Sequence, residues 1–342
     1  MGRTFLSPLL DYLLIGGGLS LLTTGWLFWG GLGADGAASA WYLLFLRWLP
    51  IVLLVSNAAH FAASTVRLYA KPGALEQFPF LTRALPLAAL LGLTLSVVFA
   101  PWIGRHVQAL YLSWSPYHYA AQAYGLALLY CYRSGCSLQQ AERRLLRAAC
   151  LAPFLHNLIT TPFAGLAWLA PEWVQQPGAA QARAAAGLVL GILSFLLPAL
   201  WAVRVASAGK AVPVISLLAV LSNSAWWTLL DALSAFVVAT VFHGLQYLVI
   251  VTVFHVRDRI AEPDNRHGAF AHAAAFYAAC LGLGYFLFQV LPYAYVPLGY
   301  GLPESMLLAT AFINLHHFIV DAYIWSLRDA RNYRIVDPLP AR

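Results

Sequence analysis

Six histidines lie inside long apolar stretches of this 342-residue chain: His60, His118, His156, His243 and the adjacent pair His316 and His317. An imidazole in hydrocarbon must find a polar partner or a protein-lined cavity, so an intramembrane histidine is a functional candidate by default. Several imidazoles meeting at one depth point to a shared ion, because neutral imidazole is a good ligand for iron, copper and zinc. A ligating imidazole usually donates its second N–H to an amide, hydroxyl, carbonyl or carboxylate that fixes its tautomer. The spacing supplies such groups. Asn57 stands at i−3 from His60, Gln122 at i+4 from His118, Gln246 and Tyr247 at i+3 and i+4 from His243, and Asn157 beside His156. Asn314, His317 and Asp321 follow one another at i+3 and i+4, which puts them on one helix face.

Adjacent helical residues point about 100° apart, so His316 and His317 cannot both face one ion. His317 is the better ligand because Asn314 and Asp321 share its face. The other four histidines, His106, His255, His267 and His272, lie beside basic residues at predicted span ends and read as surface groups. Asp11, Asp231 and Asp321 are the carboxylates inside or next to apolar runs, and only Asp321 is close to the histidines. Many imidazoles with at most one carboxylate fit iron, copper or zinc better than calcium or magnesium, which take several oxygens.

The elements that must position these groups are membrane helices. The chain is 61% hydrophobic and 10% charged, which is too apolar for a soluble domain of this length. The expected class is all-α, a single polytopic transmembrane domain over residues 1–342. Ten segments have the length and apolarity of spans: 9–31, 41–66, 82–103, 107–132, 149–170, 184–205, 213–230, 233–256, 269–292 and 303–327. With both termini cytoplasmic, 17 of the 20 Lys and Arg residues fall on the inner side. That bias is what the positive-inside rule requires of a protein in a bacterial-type inner membrane. The net charge of +7 therefore reflects topology and gives no reason to expect nucleic acid. An amphipathic helix over about 137–147, N-capped by Ser137, is expected at the inner interface, and 328–342 forms a short tail. The first apolar run is too long for a signal peptide and reads as an uncleaved helix. Four cysteines without metal-type spacing read as free thiols. Trp41, Trp102, Trp114, Trp173, Trp226 and Trp227 are expected at the outer interface, and Asp11 is expected to pair with a loop cation.

Residue counts from the inner basic belt place all six histidines at depths of about 10–22 Å, on five helices. Tyr117, Tyr124, Phe242, Phe318 and Tyr323 flank them and are candidates to line a pocket for an apolar substrate. The chemistry that best fits is a membrane-embedded, histidine-ligated metalloenzyme. Its expected form is a non-haem iron oxygenase or desaturase using O₂ and an electron donor on a lipid-soluble substrate. The architecture is similar in kind to membrane carotenoid-cleaving oxygenases and integral-membrane desaturases, but the short HxxxH and HxxHH boxes of the desaturases are absent. Two other readings stay open. Bis-histidine haem would make a redox carrier, and copper or zinc could replace iron. Pro116 and Pro153, close to His118 and His156, would suit the broken helices of a proton- or metal-coupled transporter.

Overall fold

The computed structural model describes residues 4–30 and 40–324, which are helical with no strand. The tail at 328–342 lies outside the described residues. The helices are α1 (Pro8–Ile15), α2 (Gly18–Gly30), α3 (Ala40–Leu53), α4 (Ala59–Tyr69), α5 (Phe80–Val98), α6 (Arg105–Arg133), α7 (Gln140–Thr160), α8 (Ala179–Ser207), α9 (Val214–Leu229), α10 (Ala232–Ile260), α11 (Ala269–Leu298) and α12 (Leu302–Ile324). Each expected segment, where described, falls on a helix or a helix pair, yet among the described residues only six helices are long and apolar enough to cross a membrane. The bent pair α1–α2 would make a seventh. The shortfall has physical causes. α9 has 16 residues, α7 opens on Glu142, Arg143, Arg144 and Arg147, and α6 dilutes its apolar residues with the polar groups that make it interesting, among them His118 and Gln122.

Two compact units are formed. Among the described residues, the first comprises 4–30, 40–49 and 112–246, and the second 50–111 and 247–324. In the first, Ala123, Ala127 and Cys131 of α6 pack with Leu146, Ala149 and Cys150 of α7, Trp201 and Val205 of α8 and Val220 of α9. Small and hydroxylated side chains let these backbones approach and then join them, as helices do where lipid offers no hydrophobic drive. Ser216 donates to the Ala127 carbonyl, Asn223 to Cys150 and Ser224 to Ser194, all fully buried. α1 and α2 meet at 45° across Gly16 and Gly17. Gly17 takes φ +80°, and a Cβ there would lie 2.2 Å from Ser222 Oγ, so only glycine fits this corner. Trp226 and Trp227 are 2% and 3% exposed and belong to the core, with Trp226 donating to Ser20. They are not interfacial residues; Trp102, Trp114 and Trp173 are exposed as expected.

Asp11 is also buried, and its partners differ from the loop cation expected. It accepts from the Phe5 and Leu6 amides and from Tyr130 Oη at 2.7 Å. Arg133 donates to the Thr4 carbonyl and lies 4.3 Å over the Phe5 ring, so the start of the described chain is clasped against α6. All four cysteines are free and buried.

The amphipathic segment is the first turns of α7, a helix that runs without a break to Thr160. Its N-cap is Gln139, two residues later than Ser137, and Glu142 closes a capping box by accepting from the Gln139 amide at 2.7 Å. Lys210 Nζ lies 2.7 and 3.1 Å from the Glu142 oxygens. The Lys210 hydrogen bond, helped by the Gln139 amide, holds the Glu142 carboxyl below its ordinary pKa. A depressed carboxylate stabilises the fold above its unfolded pKa, and that contribution disappears as pH falls through the folded value. Acid unfolding followed by circular dichroism in detergent is therefore expected to be steeper for wild type than for Glu142→Gln, with the curves converging in acid. Parallel curves would contradict this.

The second unit has its core where Phe61 of α4 meets Leu93 and Val97 of α5, and Leu308, Ala309, Ile313 and Phe318 of α12. A second cluster joins Ala59, Ala62 and Ala63 of α4 to Tyr247, Leu248 and Val251 of α10, and to Phe276 and Cys280 of α11. Between α3 and α4 the backbone makes a π turn, Leu54–Ala58. Ser56 Oγ bonds the Val52 carbonyl at 2.6 Å inside this turn, a local competition that loosens the α-helical ladder. His60 follows two residues after the turn.

Candidate metal centre

In the second unit, His60 and His317 stand with ring centroids 4.3 Å apart, edge to face, and both are fully buried. Phe61 and Tyr247 pack around them, Tyr247 at 4.4 Å from His60 and Phe61 at 4.8 Å from His317. His317 Nδ1 is 2.9 Å from Ser64 Oγ, and its Nε2 is 3.2 Å from Asp321 Oδ2. Tyr247 Oη donates to the other Asp321 oxygen at 2.7 Å. The i+4 step from His317 to Asp321 thus produces the carboxylate–imidazole contact that the sequence spacing implies, extended by a tyrosine from another helix. Asn314, on the same helix, instead turns back to the Thr310 carbonyl at 2.7 Å.

In the first unit, His118 of α6 and His243 of α10 are 5.0 Å apart, also edge to face. Tyr119 lies over the His243 ring at 4.2 Å and is fixed by Thr240, which is 3.0 Å from its hydroxyl. Gln122 donates to the backbone carbonyl of His243 at 3.2 Å and to Gln246 Oε1 at 3.4 Å, while Gln246 donates to the Ile15 carbonyl at 3.1 Å. The glutamines therefore hold the backbone of α1 and α10 in place.

One ligand nitrogen from each of His60, His118, His243 and His317 lies within 4.8 Å of the other three. This group of four imidazoles can hold a metal ion. The two remaining candidates stand outside it. His156 is half-buried and its Nδ1 is 2.8 Å from the Gly187 carbonyl; Gly187 and Gly191 leave its ring room against α8. His316 is half-buried on a different face of α12 from His317. Asn157 is buried beside His156, and Asn57 is half-buried within the π turn. Of the aromatic candidates, Phe242 and Phe318 are buried, and Phe318 packs 6.0 Å from His317. Tyr124 is half-buried against the first unit's core, whereas Tyr117 and Tyr323 are 42% and 59% exposed.

Ser64 and Thr240 were not singled out from the sequence, although the signal was available. Ser64 is at i+4 from His60 and Thr240 at i−3 from His243, the same helical spacings that pick out Gln122 and Asn57. Comparisons of the chain with models of known protein families, with curated proteins and with solved structures find no match. Functional meaning here rests on the chemistry of the side chains.

Proposed function

We propose that this protein is a membrane-embedded metalloenzyme in which His60, His118, His243 and His317 hold one non-haem iron that oxidises a lipid-soluble substrate with O₂. The observation that carries the reading is the approach of four imidazole nitrogens to within 4.8 Å of one another. Convergence on a point suits a single ion. A porphyrin would need two opposed imidazoles with its ring passing between them. Four neutral nitrogen donors and one nearby carboxylate favour a borderline transition metal, and among these non-haem iron with open positions beside imidazole and carboxylate groups suits O₂ chemistry. Asp321, held by Tyr247, would orient His317 through Nε2 and raise its basicity, and Nδ1 would exchange its contact with Ser64 for the ion. Phe242 and Phe318 would give the site an apolar wall that keeps water from the ion.

The membrane setting belongs to the same proposal. The six or seven apolar helices support a membrane protein, and the distribution of Lys and Arg supports ten spans with both termini cytoplasmic. Substrate and electron donor would then reach the site from the bilayer and from the inner face. The test is metal analysis of the purified, detergent-solubilised protein together with its absorption spectrum. About one iron per chain with no Soret band is expected. A Soret band would replace this reading with a haem protein, and protein free of any metal would overturn it.

A further inference from the structure

The second unit contains a cavity of about 460 Å³ that the metal centre does not use. It lies where α10 ends and α11 begins, around the connection 261–268, with Arg259, Glu262, Asp264, Arg266 and His272 among its lining residues. A pocket of this size is large enough for a small organic ligand. What it can bind follows from the charges left over after the side chains have paired internally. Arg259 Nη1 contacts both oxygens of Glu262, at 3.0 and 3.2 Å, so these two neutralise each other. Asp258, nearby on α10, is held by Arg67 at 3.1 Å. Arg266 and Asp264 are different. Both are exposed and line the cavity, two residues apart, and neither forms an ion pair among the described residues.

The connection between them is fixed by its own hydrogen bonds. Asn265 Oδ1 accepts from the His267 amide at 3.1 Å and its Nδ2 donates to the His267 carbonyl at 3.0 Å. Asn265 Oδ1 also lies 2.7 Å from His272 Nε2, which ties the turn to the first residues of α11. The cavity thus presents one uncommitted cation, one uncommitted anion and the imidazoles of His255 and His267. A purely anionic ligand would leave Asp264 repelling it, and a purely cationic ligand would meet Arg266 in the same way.

The surroundings say where such a ligand would come from. The helices on either side are two of the candidate membrane spans, and the residues at their ends are apolar and exposed: Ile260 at 47% and Phe270 at 86%. Apolar side chains projecting at a span terminus suit the headgroup–acyl boundary. We propose that this cavity binds a zwitterionic aminophosphate ester, with the phosphate on Arg266 and the imidazoles and the primary ammonium on Asp264. The phosphatidylethanolamine headgroup and free phosphoethanolamine share this chemistry. Guanidinium–phosphate and ammonium–carboxylate contacts are both charge-assisted, which gives the site its discrimination.

The test is lipid binding to delipidated full-length protein, read as bound adducts by native mass spectrometry. Phosphatidylethanolamine, phosphatidylglycerol and phosphatidylcholine are offered separately at equal ratio. Phosphatidylethanolamine is expected to bind best, and Arg266→Ala is expected to weaken it about fivefold, the effect of one basic side chain at a membrane surface. Asp264→Asn is expected to abolish the preference over phosphatidylglycerol while leaving phosphatidylglycerol binding intact. Competition by free phosphoethanolamine would support the recognition and assign the ligand to solution; a lack of competition would support it and assign the ligand to the bilayer. Equal binding of all three lipids, or wild-type binding by both variants, would overturn the proposal. Metal content is the internal control and is expected to stay at the wild-type level in both variants, so failure here is separable from failure of the metal centre.

Discussion

Alanine in place of His60 or His317 is expected to strip the metal from the purified protein, with affinity falling more than about a hundredfold. Outer partners of a metal ligand are already worth about 10–100-fold, and a ligand lost from a four-imidazole set leaves one position open at a fully buried ring site. The size of the effect should grade with distance from the ion. Asp321→Asn keeps the shape of its side chain but removes the charge facing His317 Nε2 at 3.2 Å, so it belongs in the 10–100-fold range. His156→Ala and His316→Ala should leave metal content unchanged, because His156 is committed to the Gly187 carbonyl and His316 stands outside the group of four. Metal titration of each variant after chelation, with circular dichroism to show that it is folded, gives the ranking. Equal loss at His156 and His60 would mean that the metal is bound elsewhere or that the histidines act only through stability.

The ranking also separates what sequence spacing can resolve from what it cannot. Depth in a membrane helix can be read from rise per residue and the basic belt, and that reading puts six histidines in one band, of which four come together in the structure. The direction a side chain faces depends on neighbouring helices that are remote in sequence. His317 meets Ser64 across 253 residues, and Tyr119 meets Thr240 across 121. Nothing local in α7 shows that His156 turns toward α8; the clue is a pair of glycines, Gly187 and Gly191, on the other helix. Intrahelical pairs fared better: the i+4 step from His317 to Asp321 is a contact in the structure. Gln122 and Gln246, chosen for proximity to histidines, donate to backbone carbonyls instead, Gln122 to His243 and Gln246 to Ile15 at the α1–α2 break. Hydropathy carried a similar ambiguity. The polar residues that give α6 its chemical interest are also the ones that keep it below the apolarity of an ordinary span.

Gly284→Ala is expected to destabilise the protein by about 1–3 kcal/mol, the usual cost of one methyl group too many in a packed core, and to lower metal content at the same time. Gly284 of α11 sits against the π turn before His60. A Cβ there would lie 2.5 Å from the Ala58 carbonyl oxygen, 2.6 Å from its carbon and 3.0 Å from the Ala59 nitrogen. These are backbone atoms, so no side-chain rotation can relieve the clash. The two helices must separate, and they are held by Cys280 and Phe276 packing on Ala59, Ala62 and Ala63. Tyr277 adds a 2.7 Å hydrogen bond to the Val55 carbonyl, inside the π turn itself. Pushing this turn away displaces His60, the next residue but one after Ala58, from His317. Gly282→Ala, two residues earlier on α11, is the matched control, because a Cβ there meets nothing within 4 Å. It should be neutral or slightly stabilising through its better helix propensity. Thermal unfolding in detergent and metal content, measured on both variants, test the coupling. A stable Gly284→Ala protein that has lost its metal would still place the π turn in control of His60, whereas a destabilised one with full metal content would show that His60 does not depend on that contact.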